Sequence, residues 1–308
     1  MIKKLSKYIR GYERAALLAP VFVIVEVACE LILPTLMASI IDVGINGSGG
    51  MSYIVRLGLI MLALALVSMA SGVSSARFAS AGSQGFGANL RKAMFDKVQD
   101  FSFADIDRFS SASLITRMTN DVNNIQMMLN MGLRMVVRAP VMLIAALIVC
   151  FTINARLTII LVIAVPVLSG ILALHMSACR RLIENFQKKI DGLNDSVQEN
   201  LIAIRVVKAF VREGYEKTKF KKANDALTSA GIAAVTRVVF IQPVMMITFN
   251  VCIALALWFG GKFVVGGTLL TGDLFSFISY IMNVLMSVMM IAMTLLQMTR
   301  ARACAERI

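Results

Sequence analysis

The chain predicts an all-α membrane protein, with six long transmembrane helices and two extended cytoplasmic helical hairpins, on three observations. Hydrophobic residues make up 58% of its 308 positions, charged residues only 16%, and the mean hydropathy is +0.78. That is too apolar for a soluble domain of this size. Six apolar runs long enough to cross a bilayer alternate with polar stretches. Of the 31 basic residues, only Arg56, Arg156 and Lys262 fall in loops assigned to the outer side, so the positive-inside bias places both termini in the cytoplasm. The net charge of +13 does not point to nucleic acid, because the basic residues are interleaved between apolar runs rather than gathered on one compact domain.

In chain order, residues 1–12 carry Lys3, Lys4, Lys7 and Arg10 beside Leu5, Tyr8 and Ile9, the pattern of an amphipathic helix lying on the cytoplasmic leaflet. The first span, Ala15 to Ile41, is longer than a secretory signal core and holds two acids, Glu26 and Glu30. A Gly- and Ser-rich outer loop from Asp42 to Tyr53 leads to a second span at Leu57 to Ser75. Helical character then runs on without a breaker into a first cytoplasmic excursion over residues 76–134. Its tip breaks at Arg108 to Ser113, where Ser110 and Ser111 can cap a helix beginning near Leu114. Arg117 and Asp121, four residues apart on that helix, share a face.

The third span, Ala139 to Ile153, turns outside at Asn154, Ala155 and Arg156 into a fourth at Leu157 to Met176. A second excursion covers residues 179–239 and is nearly the length of the first, a crude internal repeat of two hairpins on one side. The fifth span is Phe240 to Val264 and the sixth Leu274 to Gln297, followed by a basic helix to Ile308. Cys29, Cys150 and Cys252 lie in spans and Cys179 and Cys304 at cytoplasmic ends, so no disulfide framework is implied. The chain has no GxxxxGK[ST] loop, HExxH or CxxC, and its single histidine is His175. No catalytic residue and no metal site is therefore expected. The run Gly82, Ser83, Gln84, Gly85, Phe86, Gly87 lies within a helix and reads as close helix packing.

Several ordered markers carry a family resemblance that covers essentially the whole chain. They are Pro34 with Ile40-Ile41-Asp42; Leu90-Arg91 with Phe95; Phe109, Leu114, Ile115, Arg117 and Asp121; Pro166; Glu199 with Ile204-Arg205, Val207-Lys208-Ala209-Phe210 and Glu213; and Gly272-Asp273. The sequence resembles the transmembrane domain of a type I ABC exporter, most closely one half of a bacterial heterodimeric multidrug exporter. It departs at Ala112 and Ala203, where many members have Gly.

The resemblance implies that the two tips are coupling helices resting in grooves of nucleotide-binding domains. The first would use Asp107, Arg108, Phe109, Ser110 and Ser111, and the second Phe210, Val211, Arg212, Glu213 and Tyr215. It also implies that ATP and Mg are held by those domains and not by this chain, where a nucleotide-binding domain is absent. A second half-transporter is the expected partner, with a heterodimer favoured over a homodimer, in the inner (plasma) membrane. Amphiphilic drugs or similar compounds are the implied substrates. The alternatives are a lipid or peptide exporter and, with less support because the spans are unbroken, an ion-coupled transporter.

Two features then read as a substrate cavity. On a helical wheel the sixth span divides into an aliphatic half and a polar half bearing Ser276, Tyr280, Met282, Asn283, Met286, Ser287, Met289, Met290 and Met293, and the methionine thioethers can repack around varied ligands. Glu26 and Glu30 share a face of the first span, where each charge costs roughly 2.5–3.5 kcal/mol on insertion scales. No Lys or Arg is assigned to their depth. Gln242, Met246, Phe249 and Asn250 of the fifth span are the further candidates. The acids are then protonated and structural, paired with a cation from a partner subunit, or facing water and attracting cationic amphiphiles.

Overall fold

The computed structural model describes residues 6–102 and 111–308 and contains, among these, helices and turns but no strand. The helices are α1 (Glu13–Ser39), α2 (Gly50–Gln99), α3 (Ser111–Thr116), α4 (Val122–Met131) and α5 (Val137–Ile153). They continue with α6 (Ala155–Ile202), α7 (Ile204–Ala209), α8 (Glu213–Val239), α9 (Ile241–Val265) and α10 (Thr271–Arg307). Three π-helical segments interrupt this order at Ile40–Ile45, Arg117–Asp121 and Gly132–Val136. Among the described residues six helical stretches are long and apolar enough to cross a membrane, and the chain is a multi-pass membrane protein. It divides into two compact units, residues 1–165 with 252–308, and residues 166–251.

The first unit is zipped by small residues. Antiparallel α1 and α2 meet where Gly72 lies against Glu26, Gly82 against Ala16 and Gly85 against the Tyr12 ring, while Phe22 stacks on Phe78 with centroids 5.6 Å apart. At Gly85 and Gly87 a Cβ would collide with Tyr12 and with the Gln126 side chain. The glycine-rich run is thus a packing seam, as its helical setting predicts. Its other side is polar: Arg91 donates to Asn123 Oδ1 at 2.6 Å and Gln126 Oε1 at 3.0 Å, and Asn130 donates to Ser83 Oγ at 3.2 Å. These bonds fix the return helix α4 on α2. Nearby, Phe86, Leu90, Val122, Ile125 and Cys304 form a buried apolar cluster on which Tyr8 and Ile9 pack.

Two local readings change. The expected helix over residues 1–12 is, where described, a single 3-10 turn at Ser6–Ile9. The carbonyls of Tyr8 and Arg10 are captured by the Asn89 amide at 2.9 and 3.0 Å, and Gly11 adopts φ +89°, so neither carbonyl is left to extend a helix into α1. At the first tip the described helix already includes Ser111, ahead of the start expected near Leu114, and passes into the π segment that ends at the buried Asp121. The turn between α5 and α6 is as short as expected. Asn154 caps α6, its Oδ1 accepting from the amides of Arg156 at 3.0 Å and Leu157 at 3.1 Å.

Where the loop after α1 meets the start of α10, two sequence markers come together. Asp42 Oδ1 accepts the Gly272 N–H at 2.7 Å, and Gly272 fits only because a side chain there would strike Ala38 and Asp42. Farther along the same antiparallel pair, the fully buried Tyr280 hydroxyl donates to the Leu31 carbonyl at 2.5 Å, beside the helix turn that contains Pro34.

The second unit is a long antiparallel hairpin of α6 and α8. Its rungs are the His175 Nε2–H donated to the Arg237 carbonyl at 2.8 Å, Gly231 against the Phe186 ring, and Lys219 paired with Glu199 at 2.6 Å. Closest to the tip, Asn200 donates to Glu216 at 3.1 Å. His175, which carries no motif chemistry, satisfies one of the last carbonyls of α8.

Candidate functional site

The second tip is built by stopping a helix twice. Helix α6 ends at Ile202; Ala203 leaves helical geometry (φ −91°, ψ 10°) and its carbonyl restarts the six-residue α7. That helix closes when the Val211 N–H reaches the Lys208 carbonyl at 3.3 Å and the Arg212 N–H the Val207 carbonyl at 2.9 Å. This pair of bonds is the Schellman pattern, which needs a left-handed residue after the cap. Here that residue is Val211, at φ +52°, a conformation β-branched side chains avoid. The turn is braced by Lys208 to Glu213 at 3.1 Å and by the Arg212 guanidinium 6.0 Å from the Tyr215 ring. Phe210, Val211 and Tyr215 project outward, 74%, 81% and 61% exposed. Behind them Val197, Leu201, Ile204, Val207 and Phe220 line a cleft of about 430 Å³. At the first tip, Asp107, Arg108, Phe109 and Ser110 lie outside the described residues, and Ser111 is the first described residue of α3.

Within the membrane-spanning part of the first unit, both acids of α1 have a partner on the same chain. Arg138 of α5 donates through one terminal nitrogen to Glu26 Oε1 at 2.5 Å and through the other to both oxygens of Glu30 at 2.8 Å. This corrects the expectation that no basic residue lies at their depth. The π segment Gly132–Val136 immediately precedes α5. Its wider turn resets the helix phase, so the direction of Arg138 does not follow from α-helical spacing along α4; on α5 itself Arg138 sits one residue ahead of Ala139, the assigned start of the third span, and so falls outside it. The available sequence signal was electrostatic: two carboxylates in a span require a cation, and Arg138 is the basic residue at the head of the next apolar run.

The helix of the sixth span, α10, buries Phe277, Ile281, Val284, Leu285 and Val288, so this part of the aliphatic half packs inside the chain, while Leu295 nearer its end is exposed. Met282, Met286 and Met293 are each about half exposed, and Asn283, Met289 and Met290 are half-buried. Tyr280, Ser276 and Ser287, all on the polar half, are instead buried. In the second unit, Met246 and Gln242 are exposed and Phe249 is half-buried; exposed Asn250 donates to the Met246 carbonyl at 2.7 Å.

With this geometry in hand, the known proteins decide the family. The model of the ABC transporter transmembrane region matches residues 16–289. The chain belongs to this ABC transporter membrane family. It is 34% identical over 307 residues to an uncharacterized ABC transporter ATP-binding protein, YfiB, of Bacillus subtilis, covering 100% of the chain and 53% of that protein. It is 36% identical over 308 residues to uncharacterized ABC transporter ATP-binding proteins of Mycobacterium bovis and Mycobacterium tuberculosis, again covering 100% of the chain and 53% of each. This ABC transporter membrane domain therefore spans about half the length of the curated relatives it matches. Among the described residues it has no cluster of His, Cys, Asp and Glu able to hold a metal ion.

Proposed function

We propose that this chain is the membrane-spanning half of an ATP-driven exporter of amphiphilic compounds, coupled to nucleotide-binding domains through its two cytoplasmic tips. The observation that carries the reading is the second tip. A stalk held by successive side-chain rungs ends in a turn whose Phe210, Val211 and Tyr215 are exposed. Apolar side chains held out on a braced turn suit a groove in another protein surface. A membrane domain without a phosphate loop needs such a lever, and the names of its relatives point to ATP-binding segments as the surface that receives it. Residues Asp107 to Ser111 would be the matching contact of the first hairpin. ATP and Mg belong to the nucleotide-binding domains.

The methionine face of α10 supports a substrate path, since unbranched polarizable side chains adapt to varied apolar ligands. A second half-transporter, in a heterodimer by preference, would complete that path. The distribution of basic residues supports an inner-membrane setting with both termini in the cytoplasm. The test uses the full-length protein with its partner in membrane vesicles. Phe210→Ala and Phe109→Ala should each insert normally and hydrolyse ATP while losing substrate transport. Wild-type transport in both variants would reject coupling through the tips.

A further inference from the structure

The turn that precedes α1 encloses a recess rather than forming the surface helix the sequence predicts. An open cavity of about 480 Å³ is lined by Lys7, Tyr8, Arg10 and Glu13. The chain around it is clamped to the protein at both ends of the turn. The Asn89 amide of α2 holds the carbonyls of Tyr8 and Arg10 at 2.9 and 3.0 Å, while Tyr8 and Ile9 pack on the buried cluster that includes Phe86, Leu90 and Cys304. The Lys7 ammonium lies 4.8 Å from the centroid of the Tyr8 ring. That contact steadies the side chain and leaves its charge in place.

The recess is positive. Its one acid, Glu13, has Oε2 engaged by the Gly11 N–H at 2.9 Å, whereas among the described residues neither Lys7 nor Arg10 forms an ion pair. Both cations therefore keep N–H donors for an outside acceptor. Their place selects the acceptor. Arg10 lies three residues before α1, whose apolar run opens at Ala15, so the recess stands at the end of a spanning helix, level with the headgroup layer, which is roughly 5–8 Å deep on each side of the hydrocarbon core. We infer that the recess binds the phosphate of an anionic phospholipid, with Arg10 as the forked donor and Lys7 as the point charge. Because Tyr8 and Ile9 join this turn to the cluster containing Cys304 of α10, a bound lipid also steadies the packing of the two ends of the chain. The inference needs only the multi-pass setting and is independent of the exporter reading.

The experiment titrates the full-length protein, purified with its partner in a neutral detergent, with dioleoylphosphatidylglycerol or dioleoylphosphatidylcholine and counts bound lipid by native mass spectrometry. Phosphatidylglycerol should fill its first site at a concentration about tenfold lower than phosphatidylcholine or less. Lys7→Gln and Arg10→Gln should each weaken that site about fivefold, the effect of one basic residue near an anionic surface, and together about 25-fold. Asn89→Ala removes no charge and should still weaken it, because the two carbonyls that fix the turn are released. Changing Lys188 and Lys189 to Gln, two exposed charges of α6, should leave the site unaltered. Glycerophosphate, which has the headgroup chemistry without acyl chains, should not displace the lipid, and this separates a headgroup site from a free-anion site.

Equal affinity for the two lipids, an equal loss on changing Lys188 and Lys189, unchanged binding in Asn89→Ala, or full displacement by glycerophosphate would each overturn the inference. Should the double variant at Lys7 and Arg10 fail to assemble, the single variants and the wild-type order of the two lipids decide.

Discussion

Replacing Arg138 with Met tests whether the membrane acids are held by an ion-pair lock. The change keeps a long apolar stem but removes both terminal nitrogens, leaving Glu26 and Glu30 with no cation where their side chains are only 13% and 30% exposed. Breaking one side of a buried ion pair costs about 3–5 kcal/mol, most of it from the charge left behind. Because Arg138 itself keeps 25% of its side-chain exposure, the lower end, about 3 kcal/mol, is expected. At roughly 2 °C per kcal/mol for a chain of this size, that is a fall in unfolding temperature on the order of 6 °C. The single tryptophan, Trp258, gives a fluorescence readout in detergent. The decisive comparison is the triple variant Glu26→Gln, Glu30→Gln, Arg138→Met, which removes all three charges and should recover most of the loss. The reasoning fails if Arg138→Met melts within about 1 °C of wild type, or if the triple variant is no more stable than the single one.

Two further substitutions probe single contacts. Tyr280→Phe deletes only the hydroxyl that reaches the Leu31 carbonyl, and should lower stability by about 1 kcal/mol, read as a shift near 2 °C; no shift would mean that the bond adds nothing net. Val211→Gly should relieve a left-handed β-branched residue and stabilise the second tip by on the order of 1 kcal/mol, seen as slower hydrogen exchange at the Arg212 amide. Faster exchange there would show that Val211 contributes more by packing than it costs in strain.

What the sequence determines by itself is local. The six spans, the two hairpins and the short turn at Asn154 follow from runs of neighbouring residues, because hydropathy and helix propensity are summed over windows of the chain. The family was legible in the same way, from ordered markers such as Ile40-Ile41-Asp42 and Gly272-Asp273, and the helical glycine run could be read as packing because no strand precedes it. What only the tertiary structure decides is which distant residues meet. Asp42 and Gly272 lie 230 positions apart and Arg138 and Glu26 112, yet each pair shares a hydrogen bond. The first could be suspected from the two loop markers and the second from the charge demand of two acids in a span, but the face of α5 that carries Arg138 could not be read from the preceding helix, since a π segment resets the phase between them. The burial of Tyr280 on the polar half of its helix has the same origin. A helical wheel ranks faces by composition, but the facing helix, with its accepting carbonyl at Leu31, determines which polar group can be enclosed.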